Sequence, residues 1–370
     1  MEVKKSNDTI DTLYGKEILV YGMGSIARIL LPYLYAMPEI HLLGIALTSD
    51  EAEGQYQNTG LRIRSIHWWR TKCPKATILI TTSDTYHKAI TEICNQEGFW
   101  DVVPVTSALK DSITRTFCEA YLRKKDVDLS KPYIRLGNAK YLNPLQNSLR
   151  NSTNIFAQLS DIVFPHLFPD WTLLDEGPYD PDGILKLEPE SVVLDCGANF
   201  GTFSAYAASK ECQCYAFEPT PDLQPVLQEY HSIYSGKIIP VEYAVSDQNG
   251  TAMLHISSYG SGANSLLNRV QSEKEIMVST ITIDAFVEQR QLDTVDFIKA
   301  DIEGAERMLL DGAKNTLAKF APKLSLCTYH FPDDKEVLAR KIKQYNPKYN
   351  IVYKWEKLYA WVDDSSDKAN

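Results

Sequence analysis

The sequence predicts an α/β protein of two doubly wound, three-layer domains, and three observations carry that prediction. Residues 192–201, VVLDCGANFG, run an apolar strand straight into a turn punctuated by Gly197 and Gly201. Residues 17–27, EILVYGMGSIA, repeat the pattern about 175 residues earlier with Gly22-x-Gly24-x-x-Ala27. After each turn, strand-length apolar runs alternate with helix-length amphipathic runs, as in a parallel sheet covered on both faces.

At 370 residues the chain is long for one domain and comfortable for two. An apolar share of 44% beside 23% charged residues is enough for substantial cores. The net charge of −10 argues against a nucleic-acid backbone or an anionic membrane as partner. Seven scattered cysteines form no disulfide framework, and Cys212-x-Cys214 finds no second pair for a zinc site, so reduced thiols in a cytosol are expected. Met1–Asp11 lacks the apolar core of a signal peptide, and no apolar run approaches the ~20 residues that span a bilayer. The expectation is a soluble, cytoplasmic protein.

The first domain is expected over residues 14–108 and is Rossmann-like. Its first strand enters the Gly22 turn and a helix to about Ala36. A second strand covers Ile40–Leu47 and ends at Asp50, where a carboxylate could hold a ribose. A third covers Ala76–Thr82, capped by Ser83 and Asp84 before a helix from Tyr86 to Gln96, and Val102-Val103 makes a short fourth. Residues 54–64 read as a long irregular loop. The segment resembles the nucleotide-sugar-binding domains that precede sugar-modifying enzymes. With no hydride-transfer constellation in sight, a structural or assembly role is favoured over a working dinucleotide site. Residues 109–174 carry apolar positions at helical spacing (Ile113, Phe117, Tyr121; Ile155, Phe156, Leu159, Ile162, Val163) broken at Pro132 and Pro144, and read as a helical linker.

The second domain is expected over residues 175–362, with a polar tail at 363–370. Val192–Cys196 is its first strand, 202–209 a helix, and Gln213–Phe217 a second strand ending on Glu218. Gly197 and Gly201 let the backbone approach a ligand, and the helix start offers free N–H groups to an anion. Glu218 can accept two hydrogen bonds from a ribose diol. The spacing Asp195-x-Gly-x-x-x-Gly, with Asn199 inside it, favours S-adenosylmethionine over a dinucleotide. Lys237–Val245 reads as the third strand, with Asp247 beyond it placed to reach an adenine amino group. Thr251–Ile256 and Ile276–Ile281 read as inserted antiparallel strands. Val295–Ala300 is the fourth core strand, breaking at Asp301, and Lys323–Thr328 the fifth. Residues 351–355 and 358–361 close the sheet as an antiparallel pair around a Glu-Lys turn.

DCGANFG, then Glu218-Pro219, Ala244-Val-Ser-Asp247, IKADIEGAE ending at Glu306, and Tyr329-His-Phe-Pro-Asp-Asp334 follow one another in order. Over residues 175–360 the chain resembles the FkbM family of S-adenosylmethionine-dependent methyltransferases. That resemblance implies a class I methyltransferase fold, S-adenosylmethionine as donor and, usually, a hydroxyl oxygen as acceptor.

Methyl transfer to oxygen needs an aligned acceptor, a group to take its proton and exclusion of water. Asp301, at a strand end beside the glycine turn, is placed to accept that proton, with partial burial expected to raise its pKa. Glu303 lies in the same turn. Glu306 is read as helix support. His330, with an ordinary pKa near ~6.5, is a ready general base. These three, Asp301, Glu303 and His330, are also chemically adequate metal ligands, but direct base catalysis ranks first and no metal is assigned. Tyr179, in the segment Asp175–Tyr179, is placed to contact the methionine end, and residues 258–265 form a loop that could cover the acceptor. The leading expectation is O-methylation of a sugar, a nucleotide sugar or another small polyhydroxylated metabolite. The rivals are a non-catalytic two-domain nucleotide-binding scaffold and an NAD-dependent sugar oxidoreductase. Homo-oligomer formation is left open.

Overall fold

The computed structural model describes residues 9–49, 51–56, 59–146, 158–159, 162–163, 177–257, 261–268 and 272–363. Asp50, Asp175, residues 155–156, residues 258–260 and the tail from 364 lie outside the described residues. The chain divides into two compact units, residues 1–128 with 159–175 and residues 129–158 with 176–370.

In the first unit, β1 (Glu17–Tyr21), α1 (Ser25–Ala36), β2 (His41–Leu47), β3 (Glu53–Tyr56), β4 (Leu61–Ser65), α2 (Ile66–Lys72), β5 (Thr77–Ile80), α3 (Asp84–Gln96), β6 (Val102–Pro104) and α4 (Ser107–Lys124) follow in order. The sheet runs β3-β4-β2-β1-β5-β6, parallel except for β3. Without that edge strand the order is that of doubly wound nucleotide folds. Leu19 and Tyr21 of β1 join Ile78 and Ile80 of β5 in a core under Trp69 and Phe99, while Ile18 and Val20 are equally buried on the other face. A central parallel strand covered twice must be apolar throughout. The expected irregular loop at 54–64 is instead the β3–β4 hairpin, closed at one end by an Arg64–Glu53 ion pair at 2.8 Å. Its sequence hides the strands because Glu53, Gln55 and Arg62 sit at an exposed sheet edge. Helix α4 belongs to this unit, extending it beyond the expected boundary at 108, with Tyr33 of α1 against Phe117 at 5.1 Å between ring centroids.

The second unit begins with a correction. Within the expected helical linker, β7 (Tyr133–Leu136) and β8 (Ala139–Leu142) form an antiparallel hairpin. Pro132 breaks a helix that would run through it, and Tyr133-Ile-Arg-Leu136 alternates toward a buried face. The hairpin is tied down where Leu142 N donates to Tyr230 Oη at 2.9 Å and Lys140 N to Tyr234 Oη at 2.7 Å.

There follow β9 (Val192–Cys196), α5 (Thr202–Ser209), β10 (Gln213–Phe217), α6 (Gln224–Ile233), β11 (Ile238–Val241), β12 (Ala244–Val245), β13 (Gly250–Ser257), β14 (Ser272–Ile281), α7 (Ile283–Arg290), β15 (Phe297–Ala300), α8 (Glu306–Gly312), α9 (Lys314–Lys319), β16 (Lys323–Cys327), α10 (Asp334–Tyr345), β17 (Asn350–Lys354) and β18 (Lys357–Trp361). The seven-stranded sheet runs β11-β10-β9-β15-β16-β18-β17, with β18 antiparallel to both neighbours. The order in which strands are added reverses between the parallel neighbours β9 and β15, the place where open α/β sheets bind ligands at their carboxyl ends. β13 and β14 pair antiparallel, as expected, in a separate sheet that also takes β12. The single third strand expected over 237–245 is thus two strands in two sheets. The closing hairpin turns at Trp355-Glu356 rather than Glu-Lys, with Lys354 opposite Lys357 and Trp355 at φ +55°. Among the described residues no helix is long and apolar enough to cross a membrane.

Candidate active site at the carboxyl edge of β9, β10, β15 and β16

Where β9 ends, the chain passes through Gly197 at φ +78°, Asn199 at +47° and Gly201 at +74°. At Gly197 a Cβ would lie 2.0 Å from the carbonyl oxygen of Asp301, so only glycine lets the ends of β9 and β15 come together. At Gly201 a Cβ would press on Leu227 and Tyr230 of α6, at 2.9 and 3.0 Å.

Asp195 is fully buried on β9. Its Oδ1 lies 3.0 Å from Lys299 Nζ, and its Oδ2 accepts from Ser204 Oγ at 2.5 Å. Lys299 also donates to the carbonyl of Gly197 at 2.6 Å. The expected ligand contact from Asp195 is therefore corrected: its carboxylate is consumed inside the protein, bracing the turn through Lys299. Lys299 itself went unnoticed in the sequence, though a lone lysine inside an apolar central strand is a visible signal, since a buried charge requires a partner. Burial opposes its charge, but Asp195 and Asp301 outweigh that and push the ammonium pKa up.

Glu218, 6% exposed, follows β10. Its Oε2 accepts from Asn199 N at 3.0 Å and its Oε1 from Thr220 N at 2.9 Å. Burial raises the Glu218 pKa, partly countered by the hydrogen bonds from Thr220 and Asn199. The loop behind β13 reaches back over this turn. Ser261 Oγ donates to Asn199 Oδ1 at 2.9 Å, Asn264 Nδ2 to Thr220 Oγ1 at 3.2 Å, and Ser265 Oγ to the Glu303 carbonyl at 2.8 Å. Asp247 is not gathered with these residues. It is exposed after β12, outside the main sheet, and accepts from its neighbour Ser246 at 3.2 Å.

Beyond β15, Asp301 Oδ2 accepts from Tyr179 Oη at 2.8 Å and Oδ1 from Tyr329 Oη at 3.1 Å. The Tyr179 ring lies beneath two ammonium groups, Lys357 at 4.4 Å and Lys299 at 5.2 Å from its centroid. His330, 5% exposed, faces three carboxylates: Glu306 Oε1 is 3.3 Å from Nδ1, and Glu303 Oε2 and Asp301 Oδ1 are 3.5 and 3.7 Å from Nε2. Glu306 is fully buried, and its Oε1 accepts from Ile302 N at 2.9 Å. It supports the turn as expected and, in addition, faces the imidazole. The end of β16 is clamped by Arg307, which reaches Asp334 at 2.7 Å and Asp333 at 2.6 Å.

Two electrostatic expectations are corrected here. Burial works to lower the His330 pKa, but Glu303, Glu306 and Asp301 override it and hold the ring protonated, up to about 10. Burial likewise works to raise the Asp301 pKa, yet Lys299, His330, Lys357 and the Tyr179 hydroxyl bring it below the ordinary carboxylate range, opposite to expectation. Glu303 goes the other way: burial first, with Asp301 and Glu306 adding, raises it against the pull of His330. Glu303 also sits at φ +54°, a left-handed backbone that costs a non-glycine residue about 1–3 kcal/mol and collects at functional sites.

The family model described as the methyltransferase FkbM domain matches residues 195–353. Those residues are an FkbM methyltransferase domain. The hexuronic acid methyltransferase AglP of Haloferax volcanii is 30% identical over 132 residues, covering 36% of this chain and 54% of that protein. The 2-O-methyltransferase NoeI of Sinorhizobium fredii is 27% identical over 149 residues, covering 36% of this chain and 61% of that protein. The chain thus spans less than two thirds of the length of either relative. A crystal structure of methyltransferase FkbM from Methylobacillus flagellatus aligns over 96% of this chain and 92% of that one, at 16% identity and a TM-score of 0.43. The FkbM domain holds all ten candidate residues except Tyr179, which lies upstream of it and reaches Asp301.

Proposed function

We propose that the second unit binds S-adenosylmethionine and transfers its methyl group to a hydroxyl of a sugar or another small polyhydroxylated metabolite. The observation that carries this reading is Glu218. Backbone N–H groups of Asn199 and Thr220 fix both carboxylate oxygens beside the glycine turn, at the strand end where an acidic residue can meet the hydroxyls of a ribose. When bound, the cofactor supplies a methyl group made electrophilic by sulfonium. The chain supplies the rest. The Gly197–Gly201 backbone and the first N–H groups of α5 receive the cofactor's polar groups, while Ser261 and Asn264 hold a loop against the same turn. Asp301 orients Tyr179 and Tyr329 at the acceptor side.

Glu303 takes the acceptor's proton. Its side chain is 22% exposed, whereas Glu306 is fully buried and Asp301, brought below the ordinary carboxylate range, is the weaker base. The names of two relatives, a hexuronic acid methyltransferase and a 2-O-methyltransferase, support a sugar hydroxyl as acceptor. The first unit is assigned a structural or assembly role.

Incubation with methyl-labelled S-adenosylmethionine and a panel of uronic acids, neutral sugars and nucleotide sugars tests the reading. Label should enter at least one acceptor, and Glu303→Gln should slow that transfer by ~10²–10⁴ with cofactor affinity unchanged. A chain that neither binds the cofactor nor labels any polyhydroxylated acceptor would refute it. Full turnover in Glu303→Gln would remove the base from Glu303.

A further inference from the structure

Asp301, Glu306 and His330 each bring one potential ligand atom to within 4.8 Å of the others. Two of them are buried without the bonds such burial calls for. Among the described residues Glu306 Oε2 finds no hydrogen-bond donor, and neither ring nitrogen of His330 makes a hydrogen bond of acceptable geometry, although carboxylate oxygens stand 3.3 to 3.7 Å away. A buried polar atom left unsatisfied costs about 1–3 kcal/mol, and more when charged.

The donors converge because rigid neighbours fix them. Glu306 is held by Ile302 N, and the turn after His330 is tied by Phe331 N donating to Asp334, itself gripped by Arg307. Asp301 and Glu303, with side chains 21% and 22% exposed, leave a path to solvent.

We propose that Asp301, Glu306 and His330 form a binding site for a divalent cation of the Mn²⁺ type, which takes the place of a ring proton on His330 and has the Glu306 carboxylate as its buried anchor. Two carboxylates and an imidazole suit a first-row divalent ion, and Asp301 faces the outside, where a further position can take water or an alcohol oxygen. The functional part rests on the methyl-transfer reading. There the acceptor hydroxyl binds the cation, and its acidified proton passes to Glu303. The oxygen lone pair then forms the new O–C bond while the C–S bond breaks, its electron pair staying on sulfur to leave a neutral thioether.

The test uses the full chain, stripped with chelator and dialysed, titrated with Mn²⁺ alone while free Mn²⁺ is read by electron paramagnetic resonance. A single equivalent should bind. Glu306→Gln and Asp301→Asn should each weaken binding by at least about tenfold, and Asp182→Asn, on an exposed residue outside the site, should leave it unchanged. Circular dichroism checks the fold of each variant, with Asp301→Asn, at the partly exposed ligand, retained if the buried substitution unfolds. Absence of a bound equivalent, or wild-type affinity in both ligand variants, overturns the site. Because the titration contains no S-adenosylmethionine, bound Mn²⁺ in a chain without methyl transfer keeps the site and sinks the transfer reading. Chelator-resistant transfer with no bound Mn²⁺ does the reverse.

Discussion

Gly197→Ala should be far more damaging than an alanine at another left-handed glycine, because of what it meets. Gly183 provides the control: it lies in the same unit at φ +76°, against +78° for Gly197, with nothing within 4 Å of an added Cβ. Alanine at either position pays the left-handed backbone penalty of about 1–2 kcal/mol. At Gly197 the methyl would also stand 2.0 Å from the Asp301 carbonyl oxygen and 3.0 Å from its carbon. Those are backbone atoms of a neighbouring strand end, unable to rotate aside, so an overpacking cost of about 1–3 kcal/mol is added. The expected losses are about 2–5 kcal/mol for Gly197→Ala and about 1–2 kcal/mol for Gly183→Ala. Urea unfolding followed by hydrogen exchange in the β9 and β15 peptides reads the second unit separately. Equal losses in the two variants would refute the argument that close approach of β15, rather than room for a ligand, requires glycine here.

Lys299→Met should destabilise the second unit by about 3–5 kcal/mol, since it strands the buried Asp195 carboxylate without its partner; the double variant Asp195→Asn with Lys299→Met should recover part of the loss, and additive losses in urea unfolding would contradict the pairing. The raised pKa of Glu218 predicts that cofactor affinity is full at neutral pH and lost on acidification, starting above the 4.5 of an ordinary glutamate. Its contribution to folding has the opposite sign, because the folded chain takes that proton first and is stabilised as pH falls through the same window. Calorimetric titrations of S-adenosylmethionine across pH 4–8 check this (a roughly physiological-to-acid range around the ordinary carboxylate pKa), and an acid limb at or below the ordinary value would contradict the burial of Glu218.

Much of the second unit was legible because its apolar runs and its breaks agree: VVLDC has no polar residue until Asp195, and glycines interrupt it at once. The 3.6-residue and two-residue periods separate cleanly there. The β3–β4 and β7–β8 hairpins were not legible, since edge strands with Glu53, Arg62 and Arg135 outside carry little apolar signal. At the site, the motif residues marked the place but not the charge states. Sequence spacing cannot reveal that Lys299 lies under Asp195, or that Glu306 turns back from α8 to face His330. Those contacts raise the His330 pKa and lower that of Asp301, which is why Glu303 is the base proposed here. A charged residue inside the apolar strand FIKA was the one available sign.

The central claim is that Glu218 and the adjoining glycine turn bind S-adenosylmethionine. Isothermal titration of the full chain with S-adenosylmethionine and, separately, with NAD tests it most directly. The account predicts saturable binding of the first and none of the second at the same turn. In Glu218→Ala, loss of two charge-assisted hydrogen bonds worth about 2–4 kcal/mol should weaken the cofactor at least tenfold. Unchanged affinity in a folded Glu218→Ala variant, or binding of NAD abolished by the same substitution, would contradict it.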